Sequence, residues 1–88
     1  MARYIVMRTL PSLSPDQMQN VCRNVVAACK TIGDMEWVRS HITADGKHSF
    51  CEFIAPSADA CRRQSELTGL PYDNIIEVGD EIGPAMFA

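Results

Sequence analysis

The stretch HITADGKHSFCEF, residues 41–53, alternates apolar and polar side chains on both sides of an Asp-Gly pair. A period of two marks strands whose successive side chains point to opposite faces of a sheet, and Asp-Gly between two such runs is a hairpin signal. We therefore read 35–43 and 47–55 as paired strands joined by a two-residue turn at Asp45-Gly46, with positive φ at both turn residues. The pairing that follows sets Ala44 against Lys47, Thr43 against His48, Ile42 against Ser49, His41 against Phe50, Ser40 against Cys51, Arg39 against Glu52, Val38 against Phe53 and Trp37 against Ile54. Two faces result. Val38, Ser40, Ile42, Cys51 and Phe53 are small or apolar and belong beneath helices. Trp37, Arg39, His41, Thr43, His48, Phe50, Glu52 and Ile54 form the other face, where aromatic rings mix with charge.

Working outward, RYIVMRT at 3–9 is rich in β-formers and reads as a first strand. Ser14, Pro15 and Gln17 have the spacing of a capping box with proline at the first helical position, and Leu13 is placed to staple onto Met18. Met18, Cys22, Val25, Cys29 and Ile32 then recur at helical spacing up to Gly33. A second helix opens at Ser57, with Asp59 in its first turn, and closes at Gly69 before Leu70-Pro71. NIIEVG at 74–79 supplies a fourth strand. The order β-α-β-β-α-β predicts an α+β, ferredoxin-like single domain over 1–88: a four-stranded antiparallel sheet with two helices on one face. Its other face must meet water, a ligand or a second copy, and the expected assembly is a dimeric α/β barrel.

Composition narrows the function classes. Eight Lys and Arg against eleven Asp and Glu give a net charge of −3, with no basic run to neutralise a phosphate backbone, so nucleic acid is not an expected partner. The longest uninterrupted apolar run, Val25–Cys29, has five residues, far short of the roughly 18–20 that cross a bilayer, so no membrane partner is expected either. The N-terminal MARYIVMRTLPS has a strand pattern interrupted by Arg8 rather than an export signal, and the expected location is cytoplasmic. The four cysteines lie 7, 22 and 10 residues apart without a CxxC pair, which favours reduced thiols packed as small hydrophobes. Cys61, flanked by Arg62 and Arg63, is the one whose thiol would be activated were it exposed.

Three constellations carry possible chemistry. His41 and His48 are diagonal neighbours on the polar hairpin face, where β-carbons lie about 7–8 Å apart, close enough to share a divalent ion such as nickel, zinc or copper, with Glu52 as a third candidate ligand. His41, Glu52 and Arg39 combine an imidazole, a carboxylate and a guanidinium, a set able to move protons or hold an anion; they are the candidate catalytic residues of an alternative, enzymatic reading. Tyr4, Trp37, Arg39 and Phe50, with Arg8 nearby, are the candidate lining of a cleft for an apolar small molecule. An exposed patch of Trp37, Phe50 and Ile54, extended by Tyr4 and Val6, is large for a monomer and calls for a cover, most simply a second copy related by a two-fold axis. An assembly module with neither metal nor ligand is the remaining alternative.

RYIVMRT, EWVRSHITADGKHSFCEFIAPSADA and TGLPYDNIIEV together resemble a family of small, mostly bacterial ferredoxin-like proteins described as nickel-binding. The most specific pieces are Trp37 with Ser40, Phe50-Cys51 ahead of Ala55-Pro56, and Gly69-Leu70-Pro71 leading to Ile76-Glu77-Val78. The resemblance spans nearly the whole chain. It implies a dimer of ferredoxin-like subunits and nickel, or another divalent metal, as the cofactor to look for.

Overall fold

The computed structural model describes all 88 residues and contains β1 (Ala2–Thr9), α1 (Pro15–Ile32), β2 (Glu36–Ile42), β3 (His48–Ala55), α2 (Ala58–Thr68), β4 (Asn74–Glu77) and a 3-10 turn at Pro84–Phe87. The strands form one sheet in the order β2-β3-β1-β4, and every neighbouring pair is antiparallel. This is the split βαβ arrangement of a ferredoxin-like α+β fold. No helix is long and apolar enough to cross a membrane.

Local chemistry places both helices. The Ser14 hydroxyl accepts from the Gln17 N–H at 3.2 Å while Gln17 Oε1 accepts from the Ser14 N–H at 2.8 Å, so two of the donors orphaned at a helix start are satisfied reciprocally. Ser57 caps α2 by accepting from the Ala60 N–H at 3.1 Å. The same helix stops where Gly69 turns left-handed, at φ 72°, a conformation that costs glycine little. Val25 and Cys29 from α1 and Ala60 and Cys61 from α2 all meet Tyr4, Val6, Cys51, Phe53 and Ala55 of the central strands, so both helices cover the same side of the sheet. Phe53 is wholly buried there, a burial that stabilises the fold by about 2–3 kcal/mol.

Arg8 is also interior. It is 1% exposed, and its Nη1 donates to Ser65 Oγ at 2.9 Å and to the Pro71 carbonyl at 3.1 Å, while Nη2 donates to Gln64 Oε1 at 3.2 Å. These bonds tie β1 to α2 and to the segment that follows it.

The hairpin corrects two expectations. Its turn spans Thr43–Gly46, closed by the Gly46 N–H donating to the Thr43 carbonyl at 2.8 Å, and Gly46 alone has positive φ. Asp45 stays out of the left-handed region because its carboxylate accepts from Thr43 Oγ1 at 2.6 Å and from the Lys47 N–H at 2.9 Å, a side-chain turn that replaces the two-residue backbone turn. The register nonetheless holds from Ile42–Ser49 through Arg39–Glu52. Beyond that point it shifts: Trp37 pairs with Phe53 and Glu36 with Ile54, leaving Val38 as the extra residue of a β-bulge. The bulge reverses the face of everything before it, so Trp37 turns toward the helices rather than away from them.

The cysteines are free, with Cys22 half-buried and Cys29, Cys51 and Cys61 buried. Burial pushes the Cys61 thiol up to about 11, against the weaker downward pull of Arg8 and Arg62, and burial raises Cys29 as well. Cys61 is therefore not the activated thiol that its arginine neighbours suggest.

The buried thiols and the hairpin turn each give a testable outcome. Iodoacetamide applied to the folded chain near about pH 8, where an exposed thiol is partly ionised, labels Cys22 first and reaches Cys29 and Cys61 only after denaturation; peptide mass mapping reads the order, and native labelling of Cys61 at the pace of Cys22 contradicts the packing. The hydrogen bonds to Asp45 hold its carboxyl below the ordinary carboxylate range. A depressed folded-state value stabilises the hairpin above the unfolded value of about 3.9 and loses that contribution as pH falls through the folded value. Asp45→Asn should thus flatten the acid limb of a urea-midpoint titration and lower its neutral plateau toward the acid-side value, where the wild type has already lost this contribution.

Candidate functional site on the open sheet face

Because Tyr4, Val6 and Arg8 of β1 point into the core opposite Phe53, Cys51 and Ser49, the alternate residues form the uncovered face. It carries Arg3, Ile5, Met7 and Thr9 from β1, and His48, Phe50, Glu52 and Ile54 from β3. Arg39 and His41 come from β2 and Ile76 from β4. Met7 lies directly opposite Phe50, and Ile5 lies opposite both Glu52 and Ile76. Phe50 is 38% and Ile76 42% exposed, and Ile5, Met7 and Ile54 are half-buried, which makes an apolar band running obliquely across three strands.

Glu52 sits in that band between two guanidiniums. Its Oε2 accepts from Arg3 Nη1 in a close ion pair, and its Oε1 lies 4.0 Å from Arg39 Nη1. With its side chain only 16% exposed, the carboxylate is shielded enough for these pairings to count for more than exposed ones do. Its Oε2 is thus committed to Arg3, while Oε1 keeps the freer lone pairs.

His41 and His48 are both exposed on this face. The Thr9 hydroxyl donates its only hydrogen to Asp73 Oδ2 at 2.7 Å, so its long 3.5 Å contact with His48 Nδ1 is favourable only when the imidazole carries the proton there. That tautomer leaves the His48 Nε2 lone pair free. Imidazole nitrogen suits nickel. No three His, Cys, Asp or Glu residues, however, stand close enough together to hold a metal ion. The chain by itself offers two imidazoles and a carboxylate already bound to arginine, so His41, His48 and Glu52 do not fit a complete nickel shell.

The structure divides the other expected site residues between the two faces. Arg39 and Phe50 are on the open face as expected. Tyr4 and Trp37 are not. Tyr4 is 4% exposed and donates its hydroxyl to Glu77 Oε1 at 3.0 Å, an arrangement of burial and hydrogen bonding that raises its pKa and keeps it a protonated structural donor. Trp37, turned by the bulge, donates its indole N–H to Ser40 Oγ at 2.9 Å. Arg8 and Val6 join the helix side with Tyr4 because the parity of β1 is the reverse of the one expected. Arg3, Ile5 and Met7 take their place outside, and these three were not among the candidates. The alternation of β1 held no signal to find them, since each of its faces carries apolar side chains and one arginine.

A scan against protein-family profiles matches "Nickel responsive protein SCO4226-like" over residues 4–78. Among solved structures, the crystal structure of SCO4226 from Streptomyces coelicolor A3(2) superposes with a TM-score of 0.79 at 21% sequence identity, over 92% of this chain and 100% of that chain. At that identity the likeness is one of fold. No curated protein matches. The matched segment runs from Tyr4 in β1 to Val78 just past β4 and takes in both helices, the bulged hairpin and the uncovered face; the chain belongs to the SCO4226-like family of nickel responsive proteins.

Proposed function

We propose that the chain works as a nickel-responsive binding protein in the form of a homodimer, two copies meeting through their open sheet faces. The observation that carries the assembly is the uncovered band of Phe50, Ile76, Ile5, Met7 and Ile54 with the Arg3–Glu52–Arg39 network set inside it. An interface built on a two-fold axis must be complementary to itself. A patch holding one carboxylate and two guanidiniums meets that demand, because each Glu52 can face an arginine of the other copy while apolar side chains pack around them. The need is also thermodynamic. Only 14 of 88 residues are buried within one chain, a thin core that further apolar burial would reinforce.

The family description supports the nickel part of this reading. His41 and His48 are the chain's own nitrogen donors of the right type, and completing a shell falls to water or to groups outside the chain. The cytoplasm is the proposed location, and the expectation rests on the reduced, unpaired state of all four cysteines.

Light scattering on the tag-free protein should report twice the 9.7 kDa chain mass at micromolar concentration. Phe50→Glu should shift it to one chain mass with an unchanged far-ultraviolet circular dichroism spectrum, because an unpaired carboxylate then sits at the centre of the band. A wild-type protein that scatters as a single chain rejects the assembly.

Nickel is tested separately. In titration calorimetry His41→Ala and His48→Ala should each weaken nickel binding at least about tenfold, the loss that even an outer-sphere change produces at metal sites. Unaltered isotherms would remove both histidines from the binding role without touching the dimer.

A further inference from the structure

Between α1 and the sheet lies a cavity of about 210 Å³, separate from the open face and on the opposite side of the sheet. Its walls are mostly apolar, among them Val21 and Val25 of α1, Trp37 and Leu70. Ile42 also lines it and is 47% exposed, so the cavity opens to solvent along the β2 edge of the sheet. One wall is different in kind: the guanidinium-bearing Arg8, 1% exposed, borders the same space.

Arg8 is a buried cation without a counter-ion. It takes part in none of the ion pairs of the chain, and its three acceptors, Ser65 Oγ, the Pro71 carbonyl and Gln64 Oε1, are all uncharged. They use three of its five N–H groups, and Nε–H has no partner within the protein. The Gln64 Nε2 donor beside it is likewise buried and unpartnered. Buried charges are ordinarily paired, because an isolated ion in a low-dielectric interior carries an uncompensated desolvation penalty. The nearby Cys61 thiol does not supply the negative charge, since burial keeps it protonated up to about pH 11. Of the two, Arg8 is the one that borders the cavity; its unsatisfied group is a donor, so what would complete it from there is an acceptor, and an anion completes the charge as well.

Size limits that anion. A cavity of about 150 Å³ accepts benzene, whereas pockets for drug-sized ligands begin near about 300 Å³. A volume of about 210 Å³ therefore suits one ring, or a short aliphatic chain, together with one carboxylate. We propose that this cavity binds a small organic monocarboxylate, its apolar body against Trp37, Val21, Val25 and Leu70 and its carboxylate on Arg8. The site is independent of the dimer and of nickel, and it lies beneath the helices, where the bulge at Val38 has delivered the indole.

Trp37 is the only tryptophan, so its fluorescence reports on the cavity directly. Phenylacetate should change that fluorescence saturably, and the neutral isostere phenylacetamide should bind at least about tenfold more weakly, the difference a charge-assisted hydrogen bond makes. Val21→Phe, which fills the space while leaving Arg8 and its hydrogen bonds in place, should abolish the response to both and leave the thermal melt unchanged or raised. Absence of a saturable response in the wild type overturns the proposal. So does equal affinity for acid and amide, which would show that Arg8 recognises no charge. Undiminished binding to a folded Val21→Phe protein would place the ligand elsewhere and overturn it as well.

Discussion

The antiparallel pairing of β1 with β3 is the constraint on which the remaining structure depends. Once Tyr4, Val6 and Arg8 stand opposite Phe53, Cys51 and Ser49, the period of two leaves no freedom in what the two central strands present on either side. The helices must cover the side that holds Phe53 and Val6, both fully buried. Everything of functional interest then falls into one of two compartments that share a backbone and nothing else. One is the uncovered band with its carboxylate between two arginines, and the other is the space under α1 that borders a solitary arginine.

The two compartments treat charge in opposite ways. On the open face Glu52 has more positive partners than it needs, an excess that suits contact with a surface bearing further negative groups or with a copy of itself. In the interior Arg8 has neutral acceptors only. Its hydrogen bonds to α2 explain why the side chain stays in place without solvation, since most of its donors are occupied. They do not offset its charge. A clamp that holds a guanidinium rigid and partly unsatisfied is also a pre-organised receptor, because little conformational entropy remains to be lost when an anion arrives.

Much of the architecture was legible from local chemistry. The capping box at Ser14 and Gln17, the cap at Ser57, the left-handed stop at Gly69 and the hairpin register from Ile42 to Arg39 depend on neighbours in sequence, which is why pattern reading reached them. The candidate site was legible only in part. His41, His48, Phe50, Glu52 and Arg39 appear on the face expected of them, being counted from a turn close by. Trp37 lies past Val38, and a bulge formed without glycine leaves no mark in composition, so counting continued in the wrong phase. Tyr4, Val6 and Arg8 were misassigned for another reason. Neither face of β1 is distinctly polar, and its orientation is decided by pairing with a strand more than forty residues away, a long-range choice that a local pattern does not encode.

The bulge has an evolutionary corollary. Inside a regular strand, loss or gain of one codon inverts every side chain beyond it and is rarely survived; at Val38 the strand already accommodates the phase change, and only Glu36 and Trp37 lie upstream of it. Deletion of the Val38 codon would make the strand regular with Trp37 still opposite Phe53 and Arg39 still opposite Glu52, so the indole would stay beneath α1 and the rest of the sheet would be spared. Length variation at this one spot is thus a change that descendants of a common fold could accept without altering which side chain closes their interior chamber.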